Sequence, residues 1–469
     1  YLKNFALSNT KDIFPMQEVS LIATSTADSN QINLTSQLAD LDMKGKFKLT
    51  QIFGSLTSTI NQYYEFQKPN KDEKIEPHQF FTLNAKIKDD ELIRRFVPDL
   101  KNFETITFDA TYNADSKQIN VDGKIPNLTY GTNTINNGIL KLSNQNEALL
   151  YSLNVDALKS ESFQLQKIDL NGDITNNVIN YNVSTKDAKD ATQFLVAGNL
   201  KTLNDITEIS LNPNGLVLNY DQWQVGEGNL IQLRKDGIVA NNFSLMNNGS
   251  QILLQSESEK GTSPLNITIK DFKIETIAEI IKKDDLPAEG TINGTAQIRD
   301  LNKEMTFNAD LTVSDLKAFG NPIGNIIAKV KNTSPTTINA DITLDGNSNN
   351  MKIFGDYNTN ESAFDLALDI NRLEMKSVQG FTMNQIKDTE GYISGNLKIA
   401  GTMDKPSILG QVKFNQVGLT IAETGSNFRK IDDAIDFTNK GIEFNKFKIN
   451  DNEGNSLTIR GEILTETYR

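Results

Sequence analysis

The sequence contains no cysteine, which excludes disulfides and thiolate metal sites. It contains one histidine, His78, too few for a zinc site of the usual kind. A Ser-His-Asp triad would have to use that residue. His78 follows Pro77 in a charged stretch and reads as a surface side chain. No phosphate loop of the G-x-x-x-x-G-K type occurs. No run of 18 apolar residues occurs, so no helix is expected to cross a membrane, and no signal peptide is visible. The formal net charge is −13 with no basic stripe, so the electrostatic footprint of a nucleic-acid binder is missing. The same charge disfavours adhesion to anionic headgroups. Among 60 acidic residues no carboxylate pair stands out as a glycosidase pair would. Asp451-Asn452-Glu453-Gly454-Asn455 lacks EF-hand ligand spacing and reads as a hairpin turn. Trp223, the sole tryptophan, reads as a packing residue, with a ring against a bound chain as the other option. No enzyme activity, metal or cofactor is expected.

Hydrophobic residues make up 38% of the chain, below the roughly 45–50% of ordinary soluble domains, so they must be concentrated on one face of each element. Residues 390–414 show how. Ile393, Gly395, Leu397, Ile399 and Gly401 alternate with Tyr392, Ser394, Asn396 and Lys398, which puts the first set on one face of a strand. A turn ends at Pro406, and Ile408, Gly410, Val412 and Phe414 resume the pattern. The unit recurs at 288–298, and a weaker relative without the glycine lies at 103–112. Its short form, apolar-x-apolar-x-Gly-x-apolar, recurs around Gly45, Gly123, Gly172, Gly198, Gly355 and Gly461. Recurrence of one supersecondary unit is the signature of a repeat architecture.

In chain order, strands are expected over 19–49, about 80–87 and from 103 to about 269. Four short amphipathic helices interrupt them. Residues 50–65 carry Ile52, Phe53, Leu56 and Ile60 at helical spacing. Asp89 and Asp90 precede a second stripe of Leu92, Ile93, Phe96, Val97 and Leu100, with Pro98 near its end. A third helix is expected over about 273–283, ended by Leu286-Pro287, and a fourth over about 375–387. Residues 67–77 read as a loop. Asn176-Asn177, residues 212–215, Asn247-Asn248-Gly249 and residues 346–350 read as turns. The chain starts at Tyr1 and stops in mid-pattern, so it is expected to be part of a longer protein. Its segments, 1–88, 89–270, 271–371 and 372–469, are expected to be continuous rather than independent globular domains.

An apolar sheet face with regular alternation can pack on a second sheet as a sandwich core. Two features favour an open groove. Interior glycine at a fixed offset on the apolar face suits a strongly curled sheet, and four short helices are too few to cover a long one. The expected fold is mainly β: an elongated, curled antiparallel sheet forming an apolar groove. If about 25 strands stack in one or two sheets, a rod on the order of 60–120 Å results. Residues sharing a strand face with the recurring glycine should line the groove: Met43 and Phe47; Ile119, Val121 and Ile125; Phe194, Val196 and Leu200; Ile353; Leu397 and Ile399; Val412 and Phe414; Ile459 and Ile463. A long apolar groove suits an acyl chain.

Gly401-Thr402 and Pro406, followed by Gly410-Gln411-Val412-Lys413-Phe414, resemble the C-terminal region of the TamB family, translocation and assembly module subunits. Ile435-Asp436-Phe437, Gly441-Ile442-Glu443-Phe444, Phe447-Lys448-Ile449-Asn450-Asp451 and residues 454–461 resemble later strands of that region. Gly45-Lys46-Phe47-Lys48-Leu49, leading into a helix ending Tyr63-Tyr64, resembles the long TamB-like proteins of Bacteroidetes. The resemblance covers most of the chain and is strongest over 270–469. It implies a periplasmic protein anchored in the inner membrane through a segment outside this sequence. It further implies phospholipid acyl chains as ligand and an Omp85-type outer-membrane protein, TamA-like or TamL-like, as partner. The implied role is phospholipid transport between membranes or support of outer-membrane protein assembly. A β-solenoid carbohydrate-active enzyme and a β-repeat surface adhesin are the competing readings.

Overall fold

The computed structural model describes residues 1–8, 13–65, 76–160, 163–278, 288–300, 305–382, 385–451 and 453–464. The protein is mainly β, with antiparallel pairing throughout each of two compact units, Tyr1–Val225 and Gly226–Arg469. Most strands pair with their sequence neighbours. In the first unit they run from Leu2–Ser8 to Asp221–Val225. In the second they run from Leu230–Arg234 to Ser456–Leu464. Near the end of the second unit the ladder divides. Pro406–Ile421 pairs with both Asn427–Ile431 and Ala434–Thr438, and Gly441–Asp451 pairs with the same two.

The register is set at the turns. Asn146-Glu147, Asn176-Asn177, Asn204-Asp205 and Asn347-Ser348 each join two strands as a two-residue loop with positive φ at both positions. That conformation matches the twist of the flanking strands, and asparagine tolerates it well. Residues 212–215, read as a turn in the sequence, do not join two strands. They bulge out of Ile206–Leu218, whose pairing passes from Leu211 opposite Gly198 to Leu216 opposite Val196. Local turn chemistry is satisfied by a bulge as well as by a hairpin.

Among the described residues there are four short α-helices: α1 Ile52–Ile60, α2 Glu91–Phe96, α3 Glu275–Ala278 and α4 Met375–Gln379. The sequence placed all four but extended each of them too far, α1 as far as residue 65. Lys273 still belongs to a strand, and the expected continuation of α3 past Ala278 lies outside the described residues. Residues 380–382 form a 3-10 turn, and a strand starts at Ile386. The α2 helix stops at Phe96, and Leu100 starts the strand Leu100–Phe103. Asp90 caps α2, its side chain accepting from the Leu92 backbone N–H at 2.9 Å.

The helices stand where fully buried apolar clusters form. Around α1, Met43, Phe47, Tyr63, Phe81, Tyr112, Ile119 and Leu149 are buried, with Ile32, Leu142 and Ile174 packed against them. Apart from Phe47 and Tyr63, which flank α1, these residues come from eight strands successive in the ladder. In a flat sheet the outer two would be about 34 Å apart. A nine-residue helix is only about 13.5 Å long. The sheet is therefore curled around α1. The Tyr112 hydroxyl lies 2.7 Å from Ser55 Oγ and 2.9 Å from Thr59 Oγ1. Tyr63 accepts from Asn144 Nδ2 at 2.9 Å, and the Tyr64 hydroxyl donates to Thr202 Oγ1 at 2.8 Å.

The expected burial of Phe96 is corrected. Leu92 is 5% exposed and packs with Phe14 and Met16, whereas Phe96 is 68% exposed, its ring tilted against that of Phe14 at 5.5 Å between centroids. A six-residue helix spans less than two turns, so it cannot bury a long stripe. Leu92→Asp should therefore destabilise by a few kcal/mol, as for an unpaired buried charge. Phe96→Asp should cost about 1 kcal/mol or less. Urea midpoints of the two variants check this ranking.

Candidate functional site

Directly opposed residues of antiparallel strands share a face. The register therefore converts the alternation of single strands into rows that cross the sheet. In the first unit one row runs Leu41, Ala85, Phe108, Gly123, Leu140, Leu153, Leu170, Val183, Val196, Leu216 and Trp223. A parallel row runs Ile32, Met43, Leu83, Ala110, Val121, Leu142, Tyr151, Gly172, Tyr181, Gly198 and Leu211. In the second unit a row runs Ile252, Ile269, Gly294, Leu311, Ala328, Ile342, Ile353, Leu368, Leu397, Gly410, Phe437, Ile442 and Ile463. Not one charged side chain interrupts these rows. The opposite face carries cross-strand ion pairs such as Lys352–Asp341 at 3.0 Å and Lys398–Asp365 at 3.1 Å. Such exposed pairs keep that face solvated and contribute little stability.

The sequence-derived lining residues all fall on the apolar face of their own unit. Met43, Phe47 and Ile119 are buried beneath α1. Val121, Ile125, Phe194, Leu200, Ile353, Leu397, Ile399, Val412, Phe414 and Ile459 are half-buried. Val196 is 37% exposed, and Ile463, on the last strand, is 53% exposed. The rows are thus sealed in places, beneath α1 and at Leu216 and Trp223, and stay partly open to water elsewhere. A sandwich interior would bury such mid-row residues as completely as a domain core does.

Two glycines show what the recurring motif does. At Gly395, φ is +154°, and an added Cβ would collide with the Gln411 carbonyl oxygen on the facing strand. Only glycine takes this conformation without strain, and it draws the two backbones together on the apolar side. Gly172 sits between Tyr151 and Tyr181 in its row, and its Cβ position is 2.7 Å from the Tyr151 hydroxyl. That hydroxyl donates to the Asn180 carbonyl at 2.9 Å, so the ring lies over the glycine. Burial, with the nearby Asp173 charge adding, pushes the Tyr151 phenol above its ordinary range.

Beside the middle of the second unit's row, at the strand ends that carry Ile323, Leu344 and Met351, α4 packs on the apolar face. Asn349 is buried and donates from Nδ2 to the Ile323 carbonyl at 2.6 Å and to Ser377 Oγ at 2.8 Å. Its Oδ1 accepts from the Glu374 backbone N–H at 2.7 Å, and Ser377 Oγ donates to the Pro322 carbonyl at 2.9 Å. Next to this clip is a pocket of about 420 Å³ lined by Leu316, Ile323, Ile326, Ile342, Leu344, Met351, Ile353, Leu373, Ser377, Val378, Phe381 and Ile393. Neither is legible in the sequence. Strict alternation marks Ile342, Leu344, Met351 and Ile353 for the apolar face, but nothing local announces that Asn349 reaches α4.

The remaining singled-out residues are placed plainly. His78 is exposed, with Nδ1 3.0 Å from the Asp115 carboxylate. Trp223 is buried opposite Leu216. Asp451 caps its hairpin turn, its Oδ1 accepting from the backbone N–H groups of Glu453 and Asn455 at 2.9 and 2.8 Å. Hydrogen bonding from the Asn455 side chain leads the causes that hold the Asp451 carboxyl below the usual range. Comparison with known protein families, curated proteins and solved structures gave no match.

Asn349→Ala removes three hydrogen bonds and strands the Glu374 N–H and two buried acceptors. It should destabilise the second unit by about 2–4 kcal/mol. Hydrogen exchange should show the loss first in residues 374–382, and protection there equal to that of the parent would contradict the clip.

Proposed function

We propose that the apolar face of each unit is a lipid-shielding trough that covers phospholipid acyl chains during transport between membranes, in the manner of the TamB-like proteins the sequence resembles. The carrying observation is the set of unbroken apolar rows whose mid-row side chains remain half-buried. An acyl chain needs a dry, continuous wall and no specific polar contact, and the rows offer that. In this reading the protein works in the periplasm, anchored through a segment outside this sequence. An Omp85-type barrel receives it at the outer membrane, where it supports lipid delivery or protein assembly. No catalytic step is assigned to it.

Mass spectrometry of organic extracts from the purified protein should find phospholipid. No single lining residue is indispensable to a continuous wall, so Ile399→Leu should bind as the parent does. Val412→Asp and Leu397→Arg place an ion in the chain's path, while a trough open to water lets the variants fold. They should stay soluble, melt near the parent temperature and lose co-purifying lipid. Unfolding of both variants, together with a lipid-free parent, would identify these residues as ordinary core and overturn the reading.

A further inference from the structure

We propose that the pocket beneath α4 is a blind seat for the methyl end of a single acyl chain. This rests on the trough reading above and specifies where a chain stops. The pocket is continuous with the trough, because Ile342 and Ile353 belong both to its wall and to the long row of the second unit. Its volume of about 420 Å³ lies within the range of ligand sites and far above ordinary packing voids, which rarely exceed one water molecule. Its one polar lining group, the Ser377 hydroxyl, is already engaged as donor to Pro322 and acceptor from Asn349. A headgroup pushed into it would lose hydration without gaining a partner, so only an alkyl end fits.

The closed end is rigid. The Asn349 clip ties α4 to the two strands that carry Ile323 and Asn349. On the pocket wall, Phe381 is partly exposed to water and packs edge-on against Phe319 at 6.4 Å between centroids. A chain seated here extends from α4 along Ile353, Leu368 and Leu397. The seat therefore takes chains tail-first, entered from the middle of the row at Ile342 and Ile353.

The test uses the full chain and two photoreactive palmitic acids, one with a diazirine at the methyl end and one with it at mid-chain. After irradiation, labelled peptides are mapped by mass spectrometry. The methyl-end probe should label around Met351, Val378 and Phe381, and the mid-chain probe around Leu368 and Leu397. Filling the pocket by Val378→Trp or Ile342→Phe should cut methyl-end labelling there about tenfold while mid-trough labelling persists. If either filled variant fails to fold, the map on the unaltered protein still decides. Methyl-end labelling confined to the mid-trough strands would overturn the blind seat and leave the trough reading standing. Absence of labelling on the apolar face with both probes would overturn both.

Discussion

Strand register is the constraint on which everything else depends. Directly opposed residues share a face, so Leu311, Ala328, Ile342, Ile353 and Leu368 make one apolar row only because each ladder is held in step. A slip of one residue would turn every side chain of a strand to the other face. Two-residue turns with positive φ, at Asn176-Asn177 and Asn347-Ser348 among others, leave no slack for such a slip. Glycine then bends what the turns have aligned. At Gly395 the backbones approach more closely than any side chain would allow.

A curled sheet with one apolar face needs anchorage, and the helices supply it locally. Fully buried clusters gather at α1, α2 and α4, where one short helix touches several strands. Between these anchors, residues such as Val121, Leu397 and Val412 keep part of their surface in water. That residual exposure is unspent hydrophobic driving force. Each methylene of a chain laid along a row contributes about 0.8 kcal/mol if fully buried. Stability is thus concentrated where apolar clusters are fully buried, in the proposed reading binding capacity lies where they are not, and a substitution's effect depends on which region it strikes. Polar clips, Tyr112 with Ser55 and Thr59 in one unit and Asn349 with Ser377 in the other, fix the helices without placing a charge on the apolar face.

Much of this was legible in the sequence because its two main signals are local. Alternation with period two placed the strands and their apolar faces, and Phe80–Ile87 matches the expected 80–87. Glycine at a constant offset pointed to curling. Less was legible where a distant partner decides. Residues 212–215 look like a turn between strands, yet the facing strand takes them as a bulge. Phe96 looks like part of a buried stripe, but α2 is too short to cover it. Asn349 looks like one more turn asparagine, and only its contact with Ser377 reveals the clip and the pocket beside it. The likeness to TamB-like proteins rests on ordered apolar residues and glycine, which the physics of a curled sheet itself demands.

The central claim is that mid-row residues line a water-accessible trough that lipid can fill. The protein has no cysteine, so single cysteines at Val121, Ile353 and Ile399 can each be followed alone. The decisive measurement is the rate at which they react with a water-soluble maleimide in the folded protein, stripped of lipid and then refilled with phospholipid. The account expects reaction in the stripped protein and marked protection after refilling. Thiols that stay unreactive in both states until the protein unfolds would show a sealed interior and contradict it.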